Sequence, residues 1–326
     1  MKNVLMTFDY ELFLGQRSGT IMKCLIEPTN RLLKTFEQNG IKNTIFFIDT
    51  TYLLKLENHS NQKSQENLQV ISNQLIEIFD KGHYVFPHIH PHWKDAKYIE
   101  EIDQWDLSDI RKYKFANLNQ VQIDALFDKS IELLSKILNI EKSSFDSYRA
   151  GGWSIQPFEK VKSSFLKYGI FNDMSVAPGK KVESSLQSFD FLQAPMLPYH
   201  FSEDPSLLDN HGDFKEYPIS VLNQVSKFSN NKLLMKINWR IGGKSFGDGI
   251  GAGAVYSKSF GSEKLMLSLD QPVFINWKYI KKYVDENSYL HFISHPKLLS
   301  EISFKWLEKV ISVLKNEGSE FDFRKY

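Results

Sequence analysis

Val4-Leu5-Met6-Thr7-Phe8, followed at once by Asp9-Tyr10-Glu11, is a short apolar run that ends in two acids. It reads as a buried strand with carboxylates at its C-terminal end. Pro28 then opens a helix whose Leu32, Leu33 and Phe36 form an apolar stripe, and Asn39-Gly40 stops it. Thr44-Ile45-Phe46-Phe47-Ile48 is a second buried strand. Strand, helix, strand is the crossover that builds parallel sheets, so this N-terminal stretch already predicts an α/β fold.

The alternation continues outward. Leu68, Ile71, Leu75, Ile78 and Phe79 recur at helical spacing, and Lys81-Gly82 ends them before a third strand around Tyr84-Val85-Phe86. Residues 94–117 read as a long loop bordering a site. Ile123, Leu126, Phe127, Ser130, Leu134, Ile137 and Leu138 mark another amphipathic helix. Phe145 to Trp153 is a short strand running into a glycine turn, and a helix over 156–168 leads to Gly169–Val176. Leu233-Leu234-Met235-Lys236-Ile237-Asn238-Trp239 predicts a strand, Tyr289 to Pro296 predicts the last one, and a helix over 303–316 closes the chain. Without repeats or a clear linker, residues 1–326 are expected to form one domain with an insertion around 177–285. The expected architecture is a single distorted (β/α) barrel of about seven strands with loop insertions.

The totals remove several function classes. A formal charge of +1 supplies no basic field for nucleic acid. Cys24 is the single cysteine, which excludes an intramolecular disulfide and suits a reducing compartment. The N-terminus enters a strand without the apolar stretch of a secretory signal, and no run approaches a membrane span, so a soluble cytoplasmic chain is expected. Nothing in the sequence specifies an oligomeric state.

Chemistry concentrates in Lys81-Gly82-His83-Tyr84-Val85-Phe86-Pro87-His88-Ile89-His90-Pro91-His92-Trp93, which holds four of the nine histidines. Alone it reads equally well as a solvated histidine-rich loop. Asp9-x-Glu11 taken with His88-x-x-x-His92 gives it another sense: two imidazoles and a carboxylate leave coordination positions open, the pattern of a catalytic rather than a structural metal site. Pro91 disfavours a helix over 88–92, and in an extended or turn geometry His90 also faces inward, beside the ligands or the substrate. Asp9 and Glu11, His88 and His92, Arg149, Asp173 and His295 all fall at ends of successive expected strands, the rim where barrel enzymes place their chemistry.

Thr7-Phe8-Asp9, His88 with His92, Tyr148-Arg149-Ala150-Gly151-Gly152-Trp153, Asp173-Met174-Ser175-Val176 and Ile293-Ser294-His295-Pro296, in that order, resemble the five motifs of the polysaccharide deacetylase family, the NodB-like family 4 of carbohydrate esterases. Lys42-Asn43-Thr44-Ile45-Phe46-Phe47 resembles its second strand, and the likeness runs over residues 1–300 with 177–285 least covered. The resemblance implies Asp9 as catalytic base, His88 and His92 as metal histidines, and Arg149 as the group orienting the base. It implies His295 as general acid and Asp173 as the carboxylate that holds it. The commonest first motif has two adjacent aspartates. Here Tyr10 follows Asp9, so Glu11 is expected as the third ligand, in the acid-x-acid arrangement of some branches.

The implied reaction is metal-dependent hydrolysis of an N-acetyl amide on an amino sugar, with one divalent ion, zinc first and nickel, cobalt or iron as alternatives. The absent export signal points to a cytoplasmic, nucleotide- or lipid-linked sugar intermediate of surface polysaccharide synthesis. Deformylation or other amide hydrolysis on the same fold is the alternative, and a non-catalytic carbohydrate-binding descendant is the third reading. Gly247, Gly249, Gly251 and Gly253 lack the following helix of a dinucleotide site and are expected to form a mobile loop at the substrate mouth.

Overall fold

The computed structural model describes residues 1–184, 187–222, 232–251, 258–260, 264–270 and 272–326. Gly253 and parts of the expected insertion therefore lie outside the described residues.

One eight-stranded sheet carries the fold. Its strands are β1 (Asn3–Tyr10), β2 (Ile45–Asp49), β3 (Tyr84–Ile89), β4 (Ser147–Ala150), β5 (Asn172–Asp173), β6 (Tyr199–Phe201), β7 (Phe214–Glu216) and β8 (Tyr289–Ser294). Their order across the sheet is β6-β7-β5-β4-β3-β2-β1-β8. Every pairing is parallel except that of β6 with β7. The expected α/β class and distorted barrel are both observed. The seam between β7 and β8 is bridged by chain that includes a short antiparallel pair, Val221–Leu222 with Leu265–Met266, outside the main sheet. Tyr217 N–H donates to Asp173 O, Ser220 N–H to His291 O and Ile293 N–H to Leu267 O.

Helices cover the outside: α1 (Glu27–Asn39), α2 (Thr50–Glu57), α3 (Gln62–Asp80), α4 (Gln120–Leu138), α5 (Glu159–Tyr168), α6 (Lys232–Asn238), α7 (Trp277–Glu286) and α8 (Glu301–Asn316). Their ends are written in the sequence. Gly40 terminates α1 in the left-handed conformation with φ 66°, and its N–H reaches Glu37 O and Phe36 O. Asn119 caps α4 through a capping box with Gln122, and Ser300 does the same for α8 with Ser303. No helix among the described residues is long and apolar enough to cross a membrane.

Because β1, β2 and β3 are buried on both faces, they read as nearly continuous apolar runs. Phe8 stacks on Phe46 at 5.2 Å, and Phe8 and Phe36 meet at 5.8 Å, which ties β1 and β2 to α1. Truncating one such ring to alanine costs about 3–5 kcal/mol.

One expectation fails here. Residues 233–239, expected as a strand, form α6 and the start of the π-turn Trp239–Gly243. Leu233, Leu234, Met235 and Lys236 are all good helix formers, and Ile237 is the only β-branched residue in the run.

Candidate active site

Side chains two apart on a strand share a face. That alternation brings Thr7, Asp9 and Glu11 to one side of β1 and its extension. It does the same for His88 and His90 at β3, and for His291 and His295 at β8. All except His295 are buried, and His295 retains 14% side-chain exposure.

Glu11, His88 and His90 converge. Glu11 Oε2 lies 3.3 Å from His88 Nε2 and 2.5 Å from His90 Nε2, and the two Nε2 atoms are 3.0 Å apart. Despite these approaches Glu11 Oε2 accepts no hydrogen bond, and it is fully buried. His88 Nδ1 donates to Arg149 O at 2.8 Å, which fixes the ring with its Nε2 turned toward Glu11. Convergent imidazole nitrogens around an orphaned carboxylate oxygen suit a divalent ion of the zinc type.

The other oxygen, Glu11 Oε1, accepts from Lys297 Nζ at 2.7 Å. Burial pushes the Glu11 pKa up, but the Lys297 ammonium and the His90 and His88 rings outweigh it and hold the carboxyl well below the usual range.

Beside this group stands Asp9. Burial opposes its ionisation, yet the Arg149 guanidinium, seconded by His88 and His295, keeps its pKa lowered. Arg149 NH1 donates to Asp9 Oδ1 at 2.5 Å, so Oδ2 is turned toward His295 Nε2 at 3.5 Å and His88 Nε2 at 4.0 Å. The guanidinium is held on every side. Its Nε donates to Met174 O, its NH2 donates to Thr7 Oγ1 and His291 Nε2, and it lies over the Phe47 ring at 4.4 Å. His291 Nε2 must therefore be an acceptor, and its Nδ1 donates to Tyr217 O at 2.9 Å. Burial and the neighbouring Arg149 keep this imidazole neutral, its pKa well below the ordinary value.

His295 is gripped twice by Asp270, whose carboxylate accepts the His295 N–H at 2.7 Å and Nδ1–H at 2.6 Å. Burial lowers the imidazole pKa, and the charge and hydrogen bond of Asp270, joined by the charges of Asp9 and Glu11, together outweigh it, so the net shift is upward.

Two expected placements differ. His92 is outside the convergent group, and His90 occupies the position expected for it. β3 stays extended through Ile89, which aligns His90 with His88, whereas Pro91 starts a 3-10 turn over Pro91–Asp95 that carries His92 against Tyr113 with ring centroids at 4.6 Å. Asp173, expected to hold His295, instead accepts from Ser175 Oγ at 2.7 Å and sits beside Glu216. Both the backbone N–H and Nδ1 of His295 are already taken by Asp270. The bridging chain lies directly on β8, with Leu269 N–H donating to Ser294 Oγ at 3.0 Å, and so delivers Asp270 to His295.

Three supports have no role expected from the sequence. Asp49 accepts from Trp93 Nε1 at 2.5 Å and Thr51 Oγ1 at 2.6 Å, and that threonine receives His90 N–H at 2.9 Å, which anchors the histidine loop. Gly151 has no room for a Cβ, which would sit 2.8 Å from His90 Nδ1 and 2.4 Å from Ile89 O. Lys297 follows the His295-Pro296 motif by one residue.

No family model matches this sequence, and no curated protein does. Solved structures do. A GH57 branching enzyme from Thermococcus kodakaraensis is 10% identical with a TM-score of 0.50, over 98% of this chain and 70% of that one. A family 4 carbohydrate esterase from Streptomyces lividans is 12% identical with a TM-score of 0.43, over 98% and 91%. A polysaccharide deacetylase from Bacillus cereus is 13% identical with a TM-score of 0.44, over 99% and 91%. The branching-enzyme likeness shows a common fold and nothing of activity, and the other two are too loose to add to it.

Proposed function

We propose that this chain is a metal-dependent hydrolase that removes an N-acetyl group from an amino-sugar substrate. One observation carries the reading. Glu11 Oε2, His88 Nε2 and His90 Nε2 converge in a buried site, flanked by a low-pKa carboxylate and by an imidazole whose pKa is raised. Glu11, His88 and His90 would hold the ion, which when bound supplies Lewis acidity and lowers a water pKa from about 15.7 toward about 7.

The protein side chains supply the rest. Asp9 Oδ2 takes the proton of the attacking water, its charge preserved by Arg149. His295 Nε2 delivers a proton to the departing nitrogen, with Asp270 keeping the ring charged and oriented. Each transfer contributes roughly a hundred- to ten-thousandfold. The ordered motifs that resemble polysaccharide deacetylases support a sugar amide as substrate, and we place it among nucleotide- or lipid-linked intermediates in the cytoplasm.

Acetate release from such N-acetylated sugars, with and without added zinc or cobalt, tests the reading. Release should depend on metal and fall by about 10²–10⁴-fold in Asp9→Asn. Full activity in that variant, or cleavage of a glycosidic bond without acetate release, would overturn it.

A further inference from the structure

Glu11 is shared between two claims. Its Oε2 faces the imidazole pair, and its Oε1 is bound by the ammonium of Lys297. That ammonium is itself buried, at 6% exposure, and its second contact is to Leu12 O at 2.6 Å. The ammonium also lies over the Phe13 ring at 5.4 Å, and a backbone strap holds the main chain of the same segment, Gly247 N–H donating to Lys297 O at 3.1 Å and Phe246 N–H to Leu299 O at 2.9 Å. A buried lysine fixed on the carboxylate of a candidate metal site is an unusual expense, because it cancels the charge that would attract the ion.

We infer that Lys297 is a built-in cation competing with the metal for Glu11. With no ion bound, it neutralises Glu11 and holds the buried carboxylate in place. With an ion bound, it draws on the same carboxylate, so the ion is held less tightly and keeps more of its positive charge for polarising a substrate. This inference rests on the metal reading above.

The sign of one measurement separates this from plain scaffolding. If Lys297 only positions Glu11, removing it loosens the ligand and weakens metal binding. If it competes, removing its charge strengthens binding while the metal-free fold becomes less stable.

The test is cobalt(II) titration of the full chain, followed by visible absorption, with thermal melting before and after loading. Wild type, Lys297→Met and Lys297→Gln are compared. Gln retains a hydrogen-bond donor for Glu11 without the charge, so it carries the comparison if the Met variant does not fold metal-free. Both variants should bind cobalt roughly tenfold or more tightly than wild type. Both should melt lower when metal-free and gain more on loading. Equal or weaker cobalt binding in the folded variants overturns the inference and leaves the metal reading intact. A wild-type chain that takes up no cobalt overturns both.

Discussion

Two pairs of buried carboxyls lie at strand ends of the same sheet, and their surroundings give them opposite characters. Asp9 and Glu11 are 2% and 5% exposed, and Asp173 and Glu216 are both 0% exposed. Burial alone would raise the pKa of all four. The first pair meets Arg149, Lys297 and three imidazoles, and both pKa values end below the ordinary range. The second pair consists of cross-strand neighbours in the register of β5 and β7, with a serine hydroxyl on Asp173 and the Val176 N–H on Glu216. Both pKa values rise: burial raises that of Asp173 against the hydrogen bonds that lower it, and burial followed by the charge of Asp173 raises that of Glu216 well above the ordinary range. Depth is common to both pairs. The counter-ions decide which pair is held ionised and which resists a second charge.

The comparison breaks most visibly at Arg149. Replacing it with methionine strands Asp9 in the interior and deprives Thr7, Met174 and His291 of their donor. Urea unfolding should show a loss of about 3–5 kcal/mol, and a loss under about 1 kcal/mol would mean the first pair does not depend on its cation. Gly151→Ala comes next. It drives a Cβ against Ile89 O and the His90 ring without touching any charge, so stability falls and calorimetric metal affinity of the folded protein should drop about 10–100-fold.

Asp270→Asn is subtler. The raised pKa of His295 keeps the ring charged above the ordinary imidazole value of about 6.5. The pairing stabilises fully below that value and is lost as pH rises through the folded pKa. Without the Asp270 charge, the alkaline limb of kcat/KM should move acidward by about one unit or more. An unmoved limb would assign that titration to another group.

The smallest effect belongs to the second pair. Glu216→Gln should change stability by no more than about 0.5 kcal/mol near pH 4.5. The native contribution of Glu216, with its raised pKa, is fully present below the ordinary glutamate range and declines as pH climbs through the folded value. Glutamine does not ionise, so thermal melts should show the variant gaining on wild type toward about pH 8. Parallel curves would show that the pair carries no shared proton.

Much of this was legible beforehand. The apolar runs ending in Asp9, His88, Arg149 and His295 announced both the parallel sheet and its rim, because buried parallel strands leave their polar groups at one end. The His90 placement turned on where β3 stops being extended: Pro91 signalled a turn, and the turn begins one residue after His90 rather than before it. Asp270 has no local signal, since it comes from irregular chain whose position is set by hydrogen bonds to β8. Lys297 is indistinguishable in sequence from a surface lysine. Only its folded-state contacts to Glu11, Leu12 O and the Phe13 ring make it internal. The α6 segment misled because an apolar run of that length suits either a strand or a helix.

That strap also changes the meaning of its glycines. A Cβ on Gly247 would lie 2.5 Å from Lys297 O and 2.6 Å from the Phe13 ring, and one on Gly249 would lie 2.4 Å from the same ring. What looked like slack at a substrate mouth is, over 247–249, backbone pressed flat against an aromatic face. It acts as a gasket. A side chain added at 247 or 249 would have to displace the Phe13 ring over which the Lys297 ammonium lies at 5.4 Å, and so would disturb the Lys297–Glu11 pair without altering either of its members.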